Sequence, residues 1–406
     1  MSASMTETVH AGSAIAGGKV RGAIILAGSH GAIALARVLA RQGFDVWFVT
    51  NFTPLPRFSN AVKHSANWPG AEDEGALAAL TGLVRREGLQ GYLLVPAADA
   101  DVKFAAQNRT ALSALLTVML PDWEALQWAG DKALSYERAT ALGIDIPRVY
   151  AVGADPQAAT GEMLFPVVLK PTMRIALNPF TRAKAWRADT AEQFMALFGE
   201  AADLVGAGNI VVQDYIPGGG ENQFSYAGLW WHGEPVVSFT ARRLRQYPIE
   251  FSYTSTFVET VEDEKVMAAG EAFLRSIGHH GLCEIEFKRD PRTGALKLLD
   301  VNPRPWSWFG LADAAGVDFG AAMVALNEGR QVSPMAARPG IGWMFGLRDV
   351  VVAAQLAMKG RLDFGAYLAS VTRTRTFSSF SLADPLPGLV EMPLMALRIG
   401  RRILGR

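Results

Sequence analysis

From Cys283 to Lys288 the chain alternates strictly, with Cys283, Ile285 and Phe287 on one side and Glu284, Glu286 and Lys288 on the other. That two-residue period fits an extended strand and little else. Asp290-Pro291-Arg292-Thr293-Gly294 is a turn by composition. Residues 297–302 then alternate again, with Leu298, Asp300 and Asn302 expected on one face. Paired antiparallel with Lys288 opposite Leu298, the strands set Glu286 against Asp300 and Glu284 against Asn302. Opposed carboxylates destabilise a sheet by up to about 1 kcal/mol and raise each other's pKa. A hard divalent cation removes the conflict, because Mg²⁺ sits between one or two carboxylates and substrate phosphates. The alternative is a solvated sheet face with salt bridges to Lys288 or Arg304.

The rest of the chain supplies the frame for this hairpin. Strand patterns at 22–26, 45–50 and 92–95 alternate with helical ones at 32–41 and 76–87. Such alternation predicts a parallel sheet covered on both faces, over roughly 21–120. Gly28 and Gly31 make half a dinucleotide fingerprint, but the third glycine is missing and Thr50-Asn51 offers no acid for a ribose. They read as a tight strand-to-helix turn.

From Pro121 the pattern changes. One helix carrying Asp131-Lys132 is expected to run to Leu142, followed by a buried strand at 165–171 with Lys170 at its exit. A helix at 191–205, strands at 210–216, 223–231 and 235–240, and a helix at 266–277 complete an α+β unit over 121–330. Within it, 121–208 reads as a small lobe and 209–330 as the lobe bearing the acids. Residues 1–20 read as a flexible tail and 331–406 as a mostly helical extension.

Composition narrows the function classes. Lys+Arg and Asp+Glu both number 39, which argues against general attraction to nucleic acid. The single cysteine, Cys283, excludes a disulfide framework and a cysteine zinc site. No signal peptide or spanning segment is evident, so a cytoplasmic protein is expected. His279-His280 cannot both chelate one ion, since neighbours on a strand point to opposite sides; they read as structural. Trp306 and Trp308 read first as packing, with an acceptor pocket as the alternative. Arg398, Arg401 and Arg402 share one helical face near the end and Met395, Ile399 and Ile403 another, a pattern for a docked terminal helix or a weak membrane-surface contact.

With these residues placed, the chain over roughly 21–310 resembles the ATP-grasp superfamily, whose N-terminal sheet would be the Rossmann-like pre-ATP-grasp domain. The resemblance implies that Lys132 opens the ATP module and that Lys170, in VVLKP, is the second phosphate-binding lysine. It implies that VVQDYIPG is the hinge strand along adenine, with Gln213, Asp214, Tyr215 and Ile216 giving contacts and Glu221 binding the ribose. Glu286, Asp300 and Asn302, in CEIEFKRD and LLDVNPRP, match the metal ligands, and the resemblance implies two Mg²⁺ (or Mn²⁺) ions there. Arg304 matches the arginine at the transferred phosphoryl group. Arg243 is a further catalytic candidate at a strand end, in competition with Arg242 and Arg245. The segment TMRIALNPFTRAKAW lacks the glycine-rich loop of many members, so another backbone must cover the phosphates, with Arg174 or Lys184.

ARRLRQYP followed by SYTSTFVET resembles the carboxylate–amine ligases that include D-aspartate ligase. That narrower resemblance implies ADP-forming ligation through an acyl phosphate, of a small carboxylate to an amine (an amino acid or amino sugar) or to a thiol. A carboxylase, a kinase-like phosphoryl transfer and a non-catalytic ATP-binding regulator are the alternatives. An oligomer is compatible with all of these.

Overall fold

A computed structural model describes residues 20–51, 54–153, 155–173, 178–183, 185–249, 252 and 254–403, with side chains to residue 394. The N-terminal tail, Arg174, Lys184 and the side chains of the terminal basic face lie outside these residues.

The first sheet is built from β1 (Gly22–Leu26), β2 (Asp45–Thr50), β3 (His64–Asn67), β4 (Leu93–Pro96) and β5 (Thr117–Val118), all parallel, in the order β3-β2-β1-β4-β5. Every residue of β1 is buried, as a strand covered by helices on both faces must be. A second, four-stranded sheet holds β6 (Val149–Tyr150), β7 (Val167–Pro171), β8 (Trp186–Ala188) and β9 (Ile210–Asp214) in the order β6-β9-β7-β8. Phe194, Phe198 and Ala201 of the helix Ala191–Val205 pack against it.

The third sheet runs β14-β13-β10-β11-β12-β15-β16, from β10 (Gln223–Trp231), β11 (Glu234–Tyr247), β12 (Thr254–Val261), β13 (Gly281–Arg289), β14 (Leu296–Asn302), β15 (Gly342–Met344) and β16 (Thr374–Phe377). One apolar core joins it to the first sheet, through Ile25, Leu35, Phe239, Trp306 and Trp343. Cys283, Ile285 and Phe287 face a separate core with Tyr226 and Phe273.

Four expectations need correction. The helix expected over Asp131 is two helices, Trp123–Gly130 and Lys132–Ala141, because the Asp131 carboxylate accepts from the Ala133 and Leu134 amides and starts the second. In the hairpin, Glu286 does face Asp300 and Glu284 faces Asn302, but a bulge follows, and Lys288 lies opposite Lys297. Leu298 therefore pairs with Phe287 and is buried in the apolar core, away from Asp300. The strand expected at 235–240 continues to Tyr247, so Arg243 sits within β11 and not at its end. Finally, the extension is mostly helical yet adds β15 and β16 to the large sheet, β15 beside β12 and β16 parallel to β15.

Gly31 explains how the two halves approach. A Cβ there would lie 2.5 Å from the Trp306 carbonyl oxygen and 3.2 Å from that of Pro305. The glycine thus serves close packing of the helix His30–Arg41 against the loop after β14. Gly31→Ala is expected to lower the unfolding free energy by about 1–3 kcal/mol in urea titrations. Gly82→Ala, in a helix position with nothing within 4 Å, should leave it level or higher.

Candidate active site

The opposed acids of β13 and β14 are each met by a cation from another element. Lys132 Nζ lies 2.7 Å from Asp300 Oδ1, and Arg243 Nη2 lies 3.4 Å from Glu286 Oε1. Lys132 is the first residue of its helix and is buried, its amide donating to the Thr172 carbonyl; it is not a solvated lysine. Arg243 also donates to Gln223 Oε1 at 2.5 Å, its cross-strand neighbour in β10.

A register shift between Arg243 and Arg245 breaks the two-residue repeat of β11, so the three arginines reach different partners. Arg242 pairs with Glu259, and Arg245 with the fully buried Asp349, stacked over Phe257 and Tyr367. Arg243 alone of the three lines the site.

Glu284 accepts from Ser225 Oγ at 2.7 Å and from Asn302 Nδ2 at 2.8 Å, which gives that acid a structural place. Asn302 Oδ1 accepts from Arg304, and Arg304 also pairs with Asp99, the first residue of the helix Asp99–Gln107 that follows β4. Burial, the largest effect on Arg304, opposes its charge; Asp99, Glu284 and Asp300 outweigh it and hold the guanidinium above its ordinary pKa.

Two cavities share Glu286 and Asp300 in their walls. The first, about 150 Å³, is lined by Lys132, Arg243, Asn302 and Arg304, by Asp99 and Lys103 of the N-terminal unit, and by Trp306 and Trp308. The two tryptophans pack in the core and also wall this cavity. The second, about 170 Å³, lies between the four-stranded and large sheets. It is lined by Lys170, Gln213, Asp214, Tyr215 and Ile216, by Lys288 and by Leu299. Leu299 is the residue added by the bulge, which sets an apolar side chain beside Asp300 in this groove.

Further contacts shape the groove. Lys288 Nζ donates to the carbonyls of Ile216 and Gly218, both at 2.8 Å, so the Ile216 carbonyl already has a partner. The Gln213 side chain accepts from Tyr136, whose hydroxyl pKa burial and Asp300 push up; Asp214 accepts from Tyr150. Glu221 does not join the expected set: it is exposed, accepts from the Gly219 amide and Asn222, and lines neither cavity.

Nothing in the residue pattern pointed to Asp99, Lys103 or Arg361, which the fold brings in from distant segments. Arg361, in the turn after the helix Gly346–Met358, lines the groove from the C-terminal extension.

The donor set tests what the site could hold. Among the described residues no three His, Cys, Asp or Glu side chains gather to bind a metal unaided. Two carboxylates and an amide oxygen beside a phosphate-sized cavity fit Mg²⁺, which completes its shell with phosphate and water oxygens.

Three sheets in this order, with the acid hairpin facing the small sheet across a groove, define the ATP-grasp fold, and the chain has it. Its overall shape is similar to biotin carboxylase from Campylobacter jejuni (TM-score 0.61, 13% identity, 78% of this chain and 73% of that one). It is similar to L-amino acid ligase from Bacillus licheniformis (0.58, 15%, 80% and 79%) and to N5-carboxyaminoimidazole ribonucleotide synthetase from Thermus thermophilus (0.58, 17%, 79% and 81%). In sequence it is 25% identical over 225 residues to D-aspartate ligase of Enterococcus faecium (strain Aus0004), covering 52% of this chain and 53% of that protein. The chain thus spans about half the length of this curated relative. No protein-family model matches the sequence.

The histidine pair stays outside the site. Burial pushes His279 down to about 4 and His280 down to about 3 from the ordinary 6.5. Neutral in the fold, both take up protons on unfolding, so their contribution is present above pH 6.5 and is lost as pH falls toward 4. His279→Leu, whatever its offset at neutral pH, is expected to shrink the stability loss between pH 6.5 and 4 by about 3 kcal/mol in urea titrations.

Proposed function

We propose that this chain is an ATP- and Mg²⁺-dependent ligase that activates a small carboxylate as an acyl phosphate and joins it to an amine, releasing ADP and phosphate. The observation that carries the reading is the position of Glu286 and Asp300 in the wall between two cavities of different character. One is a groove with a hinge strand, an apolar floor and lysines; the other is a pocket ringed by Lys132, Arg243 and Arg304. The sequence likeness to D-aspartate ligase supports amine ligation over other chemistries of the fold.

The nucleotide would lie in the groove, its base along residues 213–216 and over Leu299, its phosphates toward Lys170 and Arg361. Glu286, Asp300 and the Asn302 amide oxygen would hold Mg²⁺, which neutralises phosphate charge when bound. The substrate carboxylate would enter the pocket beside Arg243 and Arg304. Its oxygen attacks the γ-phosphorus, the bond to the bridging β–γ oxygen breaks, and ADP carries that electron pair away. The amine then attacks the acyl carbon, loses a proton, and phosphate leaves with the C–O electrons. Phosphoryl transfer is catalysed mainly by positioning and charge stabilisation, the work these cations are arranged to do. Asp99 and Lys103 bring the N-terminal unit to the pocket edge, where the substrates are selected.

The test incubates the protein with ATP, Mg²⁺ and pooled amino acids and measures ADP, with hydroxylamine trapping an acyl phosphate as hydroxamate. ADP release is expected, and Glu286→Gln or Asp300→Asn should lower kcat by about 10²–10³-fold. Release no higher than that of Lys170→Ala across a broad pool sinks the ligase reading, and dependence on bicarbonate would make the enzyme a carboxylase instead. Arg361→Ala should raise KM for ATP by about tenfold with kcat within about twofold, as loss of one charge-assisted contact predicts.

A further inference from the structure

The C-terminal extension presents to solvent what proteins usually bury. Of sixteen large apolar side chains exposed among the described residues, thirteen lie between Leu347 and Met392, so the exposure is concentrated in one stretch. It is also patterned. The helix Gly346–Met358 turns Asp349, Val352 and Ala353 inward, while Leu347 (62% exposed), Val351 (50%) and Met358 (81%) follow helical spacing on its outer side. In the helix Phe364–Arg373 only Ser370 is buried, and Phe364, Leu368 and Val371 repeat at i, i+4 and i+7 in the open. Leu382, Leu386 and Leu389 continue the exposure beyond β16.

Charge identifies the occupant. Within residues 346–392 five bases, Arg348, Lys359, Arg361, Arg373 and Arg375, stand against four Asp+Glu. Those four acids are turned inward or spent locally. Asp349 is buried on Arg245, Asp384 holds Arg37 and Ser59, Glu391 pairs with His30, and Asp363 caps its own helix at the Ala366 amide. Lys359 and Arg375 remain exposed among the apolar residues. A second copy of the chain would bring two like-charged faces together, since a two-fold interface uses the same patch twice. An anionic lipid surface offers the opposite sign and an apolar layer just beneath it. Among the described residues no helix is long and apolar enough to cross a membrane, so the contact is interfacial.

We infer that the α-helical extension, residues 346–392, is a membrane-surface attachment face that docks on anionic phospholipid. The helices lie flat, their apolar stripes entering the headgroup–acyl boundary and Lys359 and Arg375 meeting lipid phosphates. This attachment is independent of the ligase reading, because the exposed apolar residues, Lys359 and Arg375 line neither cavity, and Arg361 in the same stretch faces the groove instead.

The experiment sediments the full chain with vesicles of phosphatidylglycerol and phosphatidylcholine in equal parts, against phosphatidylcholine alone, at low and high salt. Partitioning onto the anionic vesicles should exceed that onto the neutral ones by at least about tenfold and weaken with salt. Met358→Glu with Leu368→Glu should lower it at least about tenfold, and Lys359→Gln and Arg375→Gln about fivefold each. All four positions are solvent-exposed, and an unchanged melting temperature verifies that each variant is folded. Equal partitioning of the parent chain on both vesicles, or full partitioning by the Met358→Glu, Leu368→Glu variant, overturns the inference. So does a dimer in sedimentation equilibrium that this variant dissociates, since the face would then bind its own copy.

Discussion

Two carboxylates facing each other across one antiparallel strand pair set the terms for everything around them. Left alone, Glu286 and Asp300 would push β13 and β14 apart. The fold answers with Lys132 from the start of the helix Lys132–Ala141 and Arg243 from the middle of the large sheet. Each cation has its own support: Asp131 starts the helix that presents Lys132, and Gln223 holds Arg243 from the next strand. Removing either base would take one cation from a nearly buried acid, and losing one member of a buried pair is destabilising. The site is therefore a set of opposed charges drawn from separate elements of the fold, with Arg304 and Asp99 extending it to the first sheet's unit.

The extension shares in this arrangement. The buried Arg245–Asp349 pair fixes the helix Gly346–Met358 to β11 two residues from Arg243, and the turn after that helix delivers Arg361 to the groove. One strand thus holds the cavity-lining Arg243 and the anchor of the extension, and the register shift between them is what keeps the two placements separate. Arg361 thus brings a positive charge to the groove from a distant part of the chain.

Much of this was legible in the sequence where local periodicity decides structure. The 22–26 strand, the 191–205 helix and the pairing of Glu286 with Asp300 follow from spacing alone, and the structure has them. The bulge was not legible, because Leu298 and Leu299 are both apolar and alternation cannot say which one is extra. The break at Asp131 carried a signal that could have been used, a glycine stop followed directly by an N-cap acid. β15 and β16 are three and four residues long, and such strands exist only because an edge is there to receive them. Glu221 was assigned by distance along the chain from the hinge. In the loop it occupies, the nearer amide of Gly219 claims the carboxylate. Arg361 and Asp99 belong to the site through topology, which no window of residues contains.

The fastening of the extension to the first helix bears on the order in which the molecule is assembled. His30 meets Glu391 across 361 residues of sequence, and Arg37 meets Asp384 across 347. Asp384 also receives the Ser59 hydroxyl and the Asn60 amide, closing one end of the first sheet. During synthesis that sheet can form its parallel ladder early, since domains fold as units with the N-terminal one first. Its end near Ser59 must nonetheless wait, with Arg37 unpaired, until the last part of the described chain has emerged. The segment that seals this unit is made some hundreds of residues after it, so a ribosome-bound chain passes through a long interval with that surface open.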